Sequence, residues 1–410
     1  MKAAKFRIYP TLRQRRQLAR EFAAKRKVWN WALECRTLAY QLDKVSLNAV
    51  ALSRHLTQAK TSDIFLRSVS ATALNNVLWD LDAAFQSFFR KDGKYPRFKK
   101  RIHVNSTCYT LDKRARAFRD GERLALPKLG DLRVKWTKSI PVIPNSATVS
   151  RTPDGKWFVS LQYDAPDPVY PPKPVREVIG IDFGLTTLVA TSEGEKLNGR
   201  KPFKASQRRL ARYQRCFAKA AKGGQNRRKL KHRIAQIHRK IGNQRLDFSH
   251  QLSARIVREN RVIGIEDLNV RGMMANGKIA KAVADCGWYE LRRQLTYKSA
   301  WYGRQLVVYP RFERSSGVCP ECGAVGPKLP LSVRSWTCEC GTHHDRDIAA
   351  AKVIALYSAR NARVNGSGSA HKPENSRKAK VRAETKEQTR SEQTGMDAGS
   401  TDNIAVRLRA

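Results

Sequence analysis

Three carboxylate positions in this sequence sit where an apolar run meets a polar edge. Asp182 follows Val178-Ile179-Gly180-Ile181, Glu266 follows Val262-Ile263-Gly264-Ile265 and is itself followed by Asp267, and Asp345 and Asp347 open the Ala-rich segment DRDIAAAKVIALYSAR. Taken singly, an acid at a strand end is most often a cap or half of a salt bridge, and Lys or Arg partners abound here. Three such acids on separate elements of one α/β unit are a different matter. Brought to one sheet edge they repel one another unless divalent cations stand between them. Carboxylate oxygens are suitable ligands for Mg²⁺ or Mn²⁺. Two such ions ~3.5–4 Å apart activate a water and stabilise the leaving oxygen in phosphodiester hydrolysis.

A second chemistry lies in the cysteines. Cys35, Cys108, Cys216 and Cys286 are scattered, whereas Cys319, Cys322, Cys338 and Cys340 fall within 22 residues as C-x2-C, 15 residues, C-x-C. In a reducing compartment this spacing reads as a metal site rather than a disulfide framework. Two cysteine-bearing turns can present four thiolates tetrahedrally to a structural Zn²⁺. Pro320 and Gly323 suit the first turn and Gly341 the second. The C-x-C pair is one residue shorter than usual, so Cys340 is the weakest ligand of the four, with His343 or His344 as the alternative.

The elements that must position these groups can be read from periodicity. Lys5–Tyr9 alternates like a strand, and the pattern from Thr11 to about Phe89 is helical. Trp29, Ala32, Leu33, Cys35 and Leu38 fall near one helix face, as do Ala73, Leu74, Val77, Leu78, Leu81 and Phe85. KDGKYPRFKKR (91–101) is a turn and basic segment. Residues from about Cys108 to Tyr163 read as β-structure, the clearest hairpin being ATVSRT-PDG-KWFVSLQY. Pro166, Pro168, Pro171, Pro172 and Pro174 mark a domain boundary. EVIGIDFGLTTLVATSEG then reads as two apolar strands joined by a tight Gly-containing turn, 201–260 as helix, RVIGIEDL as a buried strand and QLVVY as another. From about Asn361 the chain is poor in apolar residues, and a disordered tail is expected.

Composition supplies the substrate class. Of 410 residues, 80 are Lys or Arg and 35 Asp or Glu, a formal charge of +45. Such an excess is costly in self-repulsion unless a polyanion shares the native state, and nucleic acid is the default polyanion. Residues 201–260 alone carry 18 Lys and Arg against two acids, suiting the wall of a nucleic-acid channel. Tyr95 and Phe98, set among cations, are candidates for stacking on bases, core packing being the alternative. The 41% hydrophobic content argues against a wholly disordered basic protein. No apolar run is long enough to span a membrane, and the first residues lack the apolar stretch of a signal peptide, so the expected setting is intracellular and cytoplasmic.

Together these motifs resemble the TnpB (OrfB) family of transposon-encoded, RNA-guided DNA endonucleases related to type V CRISPR effectors. The resemblance runs from MKAAKFRIYPT through WNWAL and KYPRFKKR to about Ala359. GIDFGLTTLVATSEG resembles the first RuvC-like motif, IEDLNVRGM the second, and CPECG followed by RSWTCECGTHHDRD the zinc ribbon leading into the third. It implies Asp182, Glu266 and Asp347 as catalytic Mg²⁺ (or Mn²⁺) ligands, and Cys319, Cys322, Cys338 and Cys340 as zinc ligands. Tyr95, Arg97, Phe98, Lys99, Lys100 and Arg334 are carried as nucleic-acid contacts. The implied fold class is multidomain α/β. A β-barrel wedge (1–10 and 102–170) would hold an inserted helical recognition domain (11–101). A RuvC-like nuclease of RNase H fold (175–310 and 342–360) would carry a zinc-ribbon insertion (311–341), followed by the tail (361–410). The implied partners are a guide RNA from the transposon end and double-stranded target DNA, with the protein reading a short flanking motif. A prokaryotic, nucleoid-associated protein is expected, with no membrane partner. The chain departs from the family's DRDxNAAxNI at Ala349 and Val353, which are not metal-binding positions. A nuclease-inactive guided regulator, a strand-transfer transposase and a guide-free nucleic-acid chaperone are the rival readings; RuvC-like folds serve more than one chemistry.

Overall fold

A computed structural model describes residues 2–100, 104–111, 118–119, 123–140, 142–164, 174–327, 330 and 332–364. The chain divides into two compact units, the first reaching Pro166 and the second beginning at Asp167. Most of the proline-rich boundary, and the expected tail from residue 365 on, lie outside the described residues.

The first unit is a sheet with a helical insertion. Strand β1 (Lys2–Ile8) is followed by helices α1 (Leu12–Asp43), α2 (Ala49–Ser62), α3 (Ile64–Arg67) and α4 (Ala71–Phe89). Strands β2 (Ser106–Thr110), β3 (Phe118–Arg119), β4 (Arg123–Leu126), β5 (Gly130–Lys135), β6 (Ser146–Arg151) and β7 (Trp157–Tyr163) then complete the sheet. Its order is β2-β6-β7-β1-β5-β4-β3, with antiparallel pairing throughout. The N-terminal strand is thus central, between β7 and β5. The PDG turn closes β6 on β7, Gly155 taking φ +75° and its N–H donating to the Thr152 carbonyl.

Helix α1 starts at a capping box in which the Thr11 hydroxyl accepts from the Gln14 N–H and the Gln14 side chain accepts from the Thr11 N–H. Gln14 also donates to the carbonyls of Leu129 and Asp131, tying the helix start to the β4–β5 turn. The periodic apolar residues of α1 and α4 fill one core with those of α2 and α3, while Phe22 and Ala73 join the core of the sheet.

The second unit is a mixed sheet with helices. Strands β8 (Arg176–Asp182), β9 (Val189–Thr191) and β10 (Lys196–Leu197) precede helices α5 (Pro202–Lys219) and α6 (Gln225–Glu259). Then follow β11 (Asn260–Glu266), α7 (Val270–Ala275), α8 (Ala280–Cys286), α9 (Trp288–Trp301), β12 (Gln305–Tyr309), β13 (Ser335–Thr337), β14 (His343–Asp345) and α10 (Arg346–Val364). The sheet order is β10-β9-β8-β11-β12, with β8, β11 and β12 parallel and β9 and β10 antiparallel. The near-continuous apolar runs of β8 and β11 are what such central parallel strands require. The connection from β8 to β9 spans residues 183–188, longer than the tight turn expected from its glycine. The expected helix 201–260 is two helices joined at 220–224, and α10 continues to Val364 rather than ending near Arg360.

Helix α10 lies directly on β8 and β11. Gly180 and Gly264 are register partners, and both face it. A Cβ at Gly180 would stand 1.9 Å from the Ala351 carbonyl oxygen, and one at Gly264 2.2 Å from Ser358 Oγ. Only glycine lets the helix come this close.

Candidate active site and metal centre

Asp182 ends β8 and Glu266 ends β11, neighbouring parallel strands in register, so both carboxyls emerge at the same sheet edge. Asp347 lies in the first turn of α10, whose start is fixed by Asp345. The Asp345 carboxylate accepts from the N–H groups of Asp347 and Ile348 and from Lys196 Nζ at 2.6 Å. Burial alone would raise the Asp345 carboxyl, but Lys196 and these N–H groups bring it below its ordinary range. Helix packing on the glycine pair and this cap place the third acid near the other two.

Asp182 and Glu266 touch, and Asp347 is close enough for its charge to act on Asp182. Asp182 is held well above the ordinary carboxylate range, first by burial and then by the charges of Glu266 and Asp347. The Asp182 and Glu266 carboxyls hydrogen-bond to one another. Burial also raises Glu266, against the pull of a 2.9 Å hydrogen bond donated by Ser315 Oγ. Asp182 and Glu266, both pushed up by burial, are relieved by protons or by cations at this point. The donor set is oxygen only, as Mg²⁺ or Mn²⁺ requires. Arg334 approaches Asp347 at 3.7 Å, so this predicted nucleic-acid contact stands beside the acids.

Asp267, next to Glu266, faces away from that cluster into two guanidinium groups. Arg292 Nη1 donates to it at 2.5 Å and Arg311 Nη2 at 2.7 Å, and Arg292 first among its surroundings holds its carboxyl low. Arg311 also donates to the Asp267 carbonyl, and Tyr309 donates to the Arg314 carbonyl. The segment carrying Ser315 is therefore fastened to the end of β11. Sequence reasoning missed Ser315 and Lys196 and named Asp267 only as the neighbour of Glu266, because each acts across 25 to 149 residues of chain.

The four clustered cysteines converge, all their sulfurs lying within 4.8 Å of one another. Cys319 and Cys340 are 3.7 Å apart and Cys322 and Cys338 3.6 Å. A tetrahedron with Zn–S bonds of ~2.3 Å has sulfur–sulfur edges of ~3.8 Å, so the set fits zinc closely, and it is far wider than a disulfide. Cys340 belongs to the set despite the short spacing, and Thr342 draws its thiol down to about 6. His344 Nε2 lies 3.2 Å from Cys319 Sγ, a hydrogen-bonding distance, while His343 bonds to Thr337. Among the described residues this cysteine set can bind zinc.

The remaining predicted contacts lie in the first unit. Tyr95 bonds to Thr37 through its hydroxyl and packs edge-on against Phe85 and Phe88. Lys99 Nζ sits 3.1 Å from the centre of the Trp29 ring, and its N–H donates to Asn30. Arg97 and Lys100 are exposed, as is Phe98 at 59%. Leu33, Tyr95, Arg97 and Phe98 line a shallow cavity of ≈310 Å³.

Known proteins resemble this chain in sequence. The family profile OrfB_IS605, described as "Probable transposase", matches residues 160–277; "Cas12f1-like, TNB domain" matches 288–354 and "Helix-turn-helix domain" matches 1–44, which here form β1 and the single long helix α1. A "Putative RNA-guided DNA endonuclease" of Streptomyces pristinaespiralis is 43% identical over 86% of this chain and 88% of its own length. The "Putative RNA-guided DNA endonuclease InsQ" of Escherichia coli K12 is 29% identical over 83% of this chain and 87% of its own length. A solved structure titled "Cryo-EM structure of CRISPR-Cas12f Ternary Complex" aligns over 82% of this chain and 80% of its own, at 14% identity and a TM-score of 0.35. The chain belongs to the TnpB (OrfB) family. No helix among the described residues is long and apolar enough to cross a membrane.

Proposed function

We propose that this chain is an RNA-guided DNA endonuclease of an insertion-sequence transposon. The observation that carries the reading is the convergence of Asp182, Glu266 and Asp347, with Asp182 and Glu266 held above the carboxylate range by burial and Asp182 also by its neighbours' charges. The three carboxylates would hold Mg²⁺ or Mn²⁺, which would supply an activated water and stabilisation of the leaving oxygen. Ser315 and the Asp267 clasp keep Glu266 aimed at that point, and the cap on α10 does the same for Asp347. Ligands of open α/β sheets gather beyond the carboxyl ends of the strands, where these acids stand.

The sheet order, with β9 antiparallel to a parallel trio, supports a RuvC-like nuclease of RNase H fold over 175–310 and 342–360, with a zinc-ribbon insertion at 311–341. The first unit serves as the wedge (1–10 and 102–170) with its recognition helices (11–101). The α5–α6 pair, which buries only Leu210, Ile237 and Ile241 as a core of its own, offers its cations to phosphates. A guide RNA from the transposon end selects double-stranded DNA by pairing, and the protein reads a short flanking motif.

The test is cleavage of double-stranded DNA by the full chain purified with its RNA. Cutting should need Mg²⁺, vanish after RNase treatment, and be lost in Asp347→Ala while RNA binding persists. Sequence-indifferent cutting by RNA-free protein removes the guide from the reading. Guided binding without cutting marks a regulator, and strand joining marks a transposase.

A further inference from the structure

The first unit contains a cavity of ≈460 Å³ where α1 meets the β6–β7 hairpin. Its walls carry Arg15, Arg26 and Arg151, over apolar groups that include Ala19, Phe22 and Trp157. None of the three arginines is ion-paired with a carboxylate among the described residues. Arg15 spends its Nε on the Pro10 carbonyl, and the Arg151 guanidinium lies 5.6 Å from the centre of the Trp157 ring. The outer nitrogens of each fork therefore stay available to an anion.

The walls specify the occupant. Three guanidinium groups select phosphate, which they can grip bidentately. The apolar side selects something flat and weakly hydrated joined to that phosphate, and the volume lies in the range of ordinary small-molecule sites. A nucleotide has this division of character. The concave shape favours a nucleotide turned out of a helix over the even backbone of a B-form duplex. Unpaired, splayed bases are the habitual targets of proteins on RNA.

We propose that this cavity binds one splayed-out nucleotide of the guide RNA, its phosphate on Arg26 and Arg151 and its base toward the Phe22–Trp157 side. The site rests on the RNA-guided reading and goes beyond it by naming where in the first unit the RNA is held. It also separates Arg26 and Arg151 from the chain's many other cations, which attract phosphate without shaping a pocket.

The experiment uses the full chain freed of nucleic acid, with fluorescein-labelled 20-nucleotide oligouridylate RNA and oligothymidylate DNA as probes, followed by anisotropy over a salt series. The double variant Arg26→Ala/Arg151→Ala is compared with Arg54→Ala/Arg67→Ala, which removes equal charge from exposed positions on α2 and α3. The pocket variant should bind RNA at least tenfold more weakly at 100 mM salt. Its log–log salt slope should be shallower by about 0.7, the value for one lost phosphate contact on a single strand. The surface variant should change affinity by less than threefold. Arg26→Lys/Arg151→Lys, which keeps charge without the fork, should fall between, and unchanged circular dichroism confirms that the variants fold. Equal losses in the two alanine doubles overturn the pocket while leaving the guide reading intact. A loss confined to the DNA probe also overturns it and assigns the cavity to DNA. Failure of the unaltered chain to bind either probe counts against the guide reading itself.

Discussion

Substituting Gly180 by alanine should uncouple the third acid from the other two. The added Cβ would lie 1.9 Å from the Ala351 carbonyl oxygen and 2.5 Å from the Ala355 N–H nitrogen, both backbone atoms of α10. Ordinary C···O contact is ~3.4 Å, so about 1.5 Å must open between β8 and the helix. Ala351 is one turn beyond Asp347 on the same helix, and the displacement is carried to the acid. Inserting a carbon into packed structure costs ~1–3 kcal/mol, and a backbone obstacle puts this case toward the upper end. For a unit of this size that lowers the melting temperature by roughly 2–12 °C. A 1 Å misplacement of a reacting group can cost ~10²-fold in rate. The Gly264→Ala change is the internal control. Its Cβ meets two side-chain atoms first, Ser358 Oγ at 2.2 Å and Ile354 Cγ2 at 2.9 Å, and the nearest backbone atom, the Ile354 carbonyl oxygen, only at 3.1 Å, so its losses should be smaller and partly relieved by Ser358→Ala. Guided cleavage rates and thermal melts of the three variants decide the matter. A Gly180→Ala protein that cuts at the normal rate, or a Gly264→Ala protein that is the more damaged, refutes the argument.

Metal analysis should find one zinc per chain, and Cys340→Ser should speed its loss to a chelator, since the fourth sulfur closes the tetrahedron. Asp285→Ala should loosen the α5–α6 pair, because Asp285 accepts from the N–H groups of Phe203 and Lys204 and from Arg245. The loss of this cap is worth ~1–2 kcal/mol, and faster amide exchange in α5 is the readout. Glu21 is raised by burial against the pull of the Ser70 N–H, so the folded chain holds its proton to higher pH than the unfolded chain does. That stabilisation is complete below the unfolded carboxyl pKa and fades as pH rises through the folded one. Glu21→Gln should therefore melt with less decline between pH 5 and pH 8 than the unaltered chain.

Much of the site could be read from the sequence because its pieces are local. An apolar run ending in an acid is visible in a handful of residues, and so is a pair of cysteine turns. The helix faces of α1 and α4 were equally legible, as their apolar spacing is the packing itself. What escaped was everything set by contact between distant segments. Nothing near Ser315 announces a bond to Glu266, and nothing near Asp285 announces that it caps a helix 82 residues earlier. Strand order escaped too, because runs such as those of β8 and β11 state burial but not neighbours. Local geometry also moved boundaries. The glycine after Asp182 suggested a tight turn, while Gly184 N–H closes instead on the Leu188 carbonyl at 3.4 Å within a longer loop. The short C-x-C pair cast doubt on Cys340, although Gly341, at φ +83°, lets the chain turn sharply enough to bring that sulfur in.

The order in which the acids occur along the chain has a consequence for synthesis. Asp182 and Glu266 can meet as soon as β11 has left the ribosome and paired with β8. The helix that brings Asp347 follows only after the cysteine turns, 81 residues behind Glu266. At ~5–20 residues per second the nascent polypeptide spends several seconds with a two-acid sheet edge and no third acid. A chain interrupted anywhere in that interval keeps the long basic helices α5 and α6 but carries only two of the three acids.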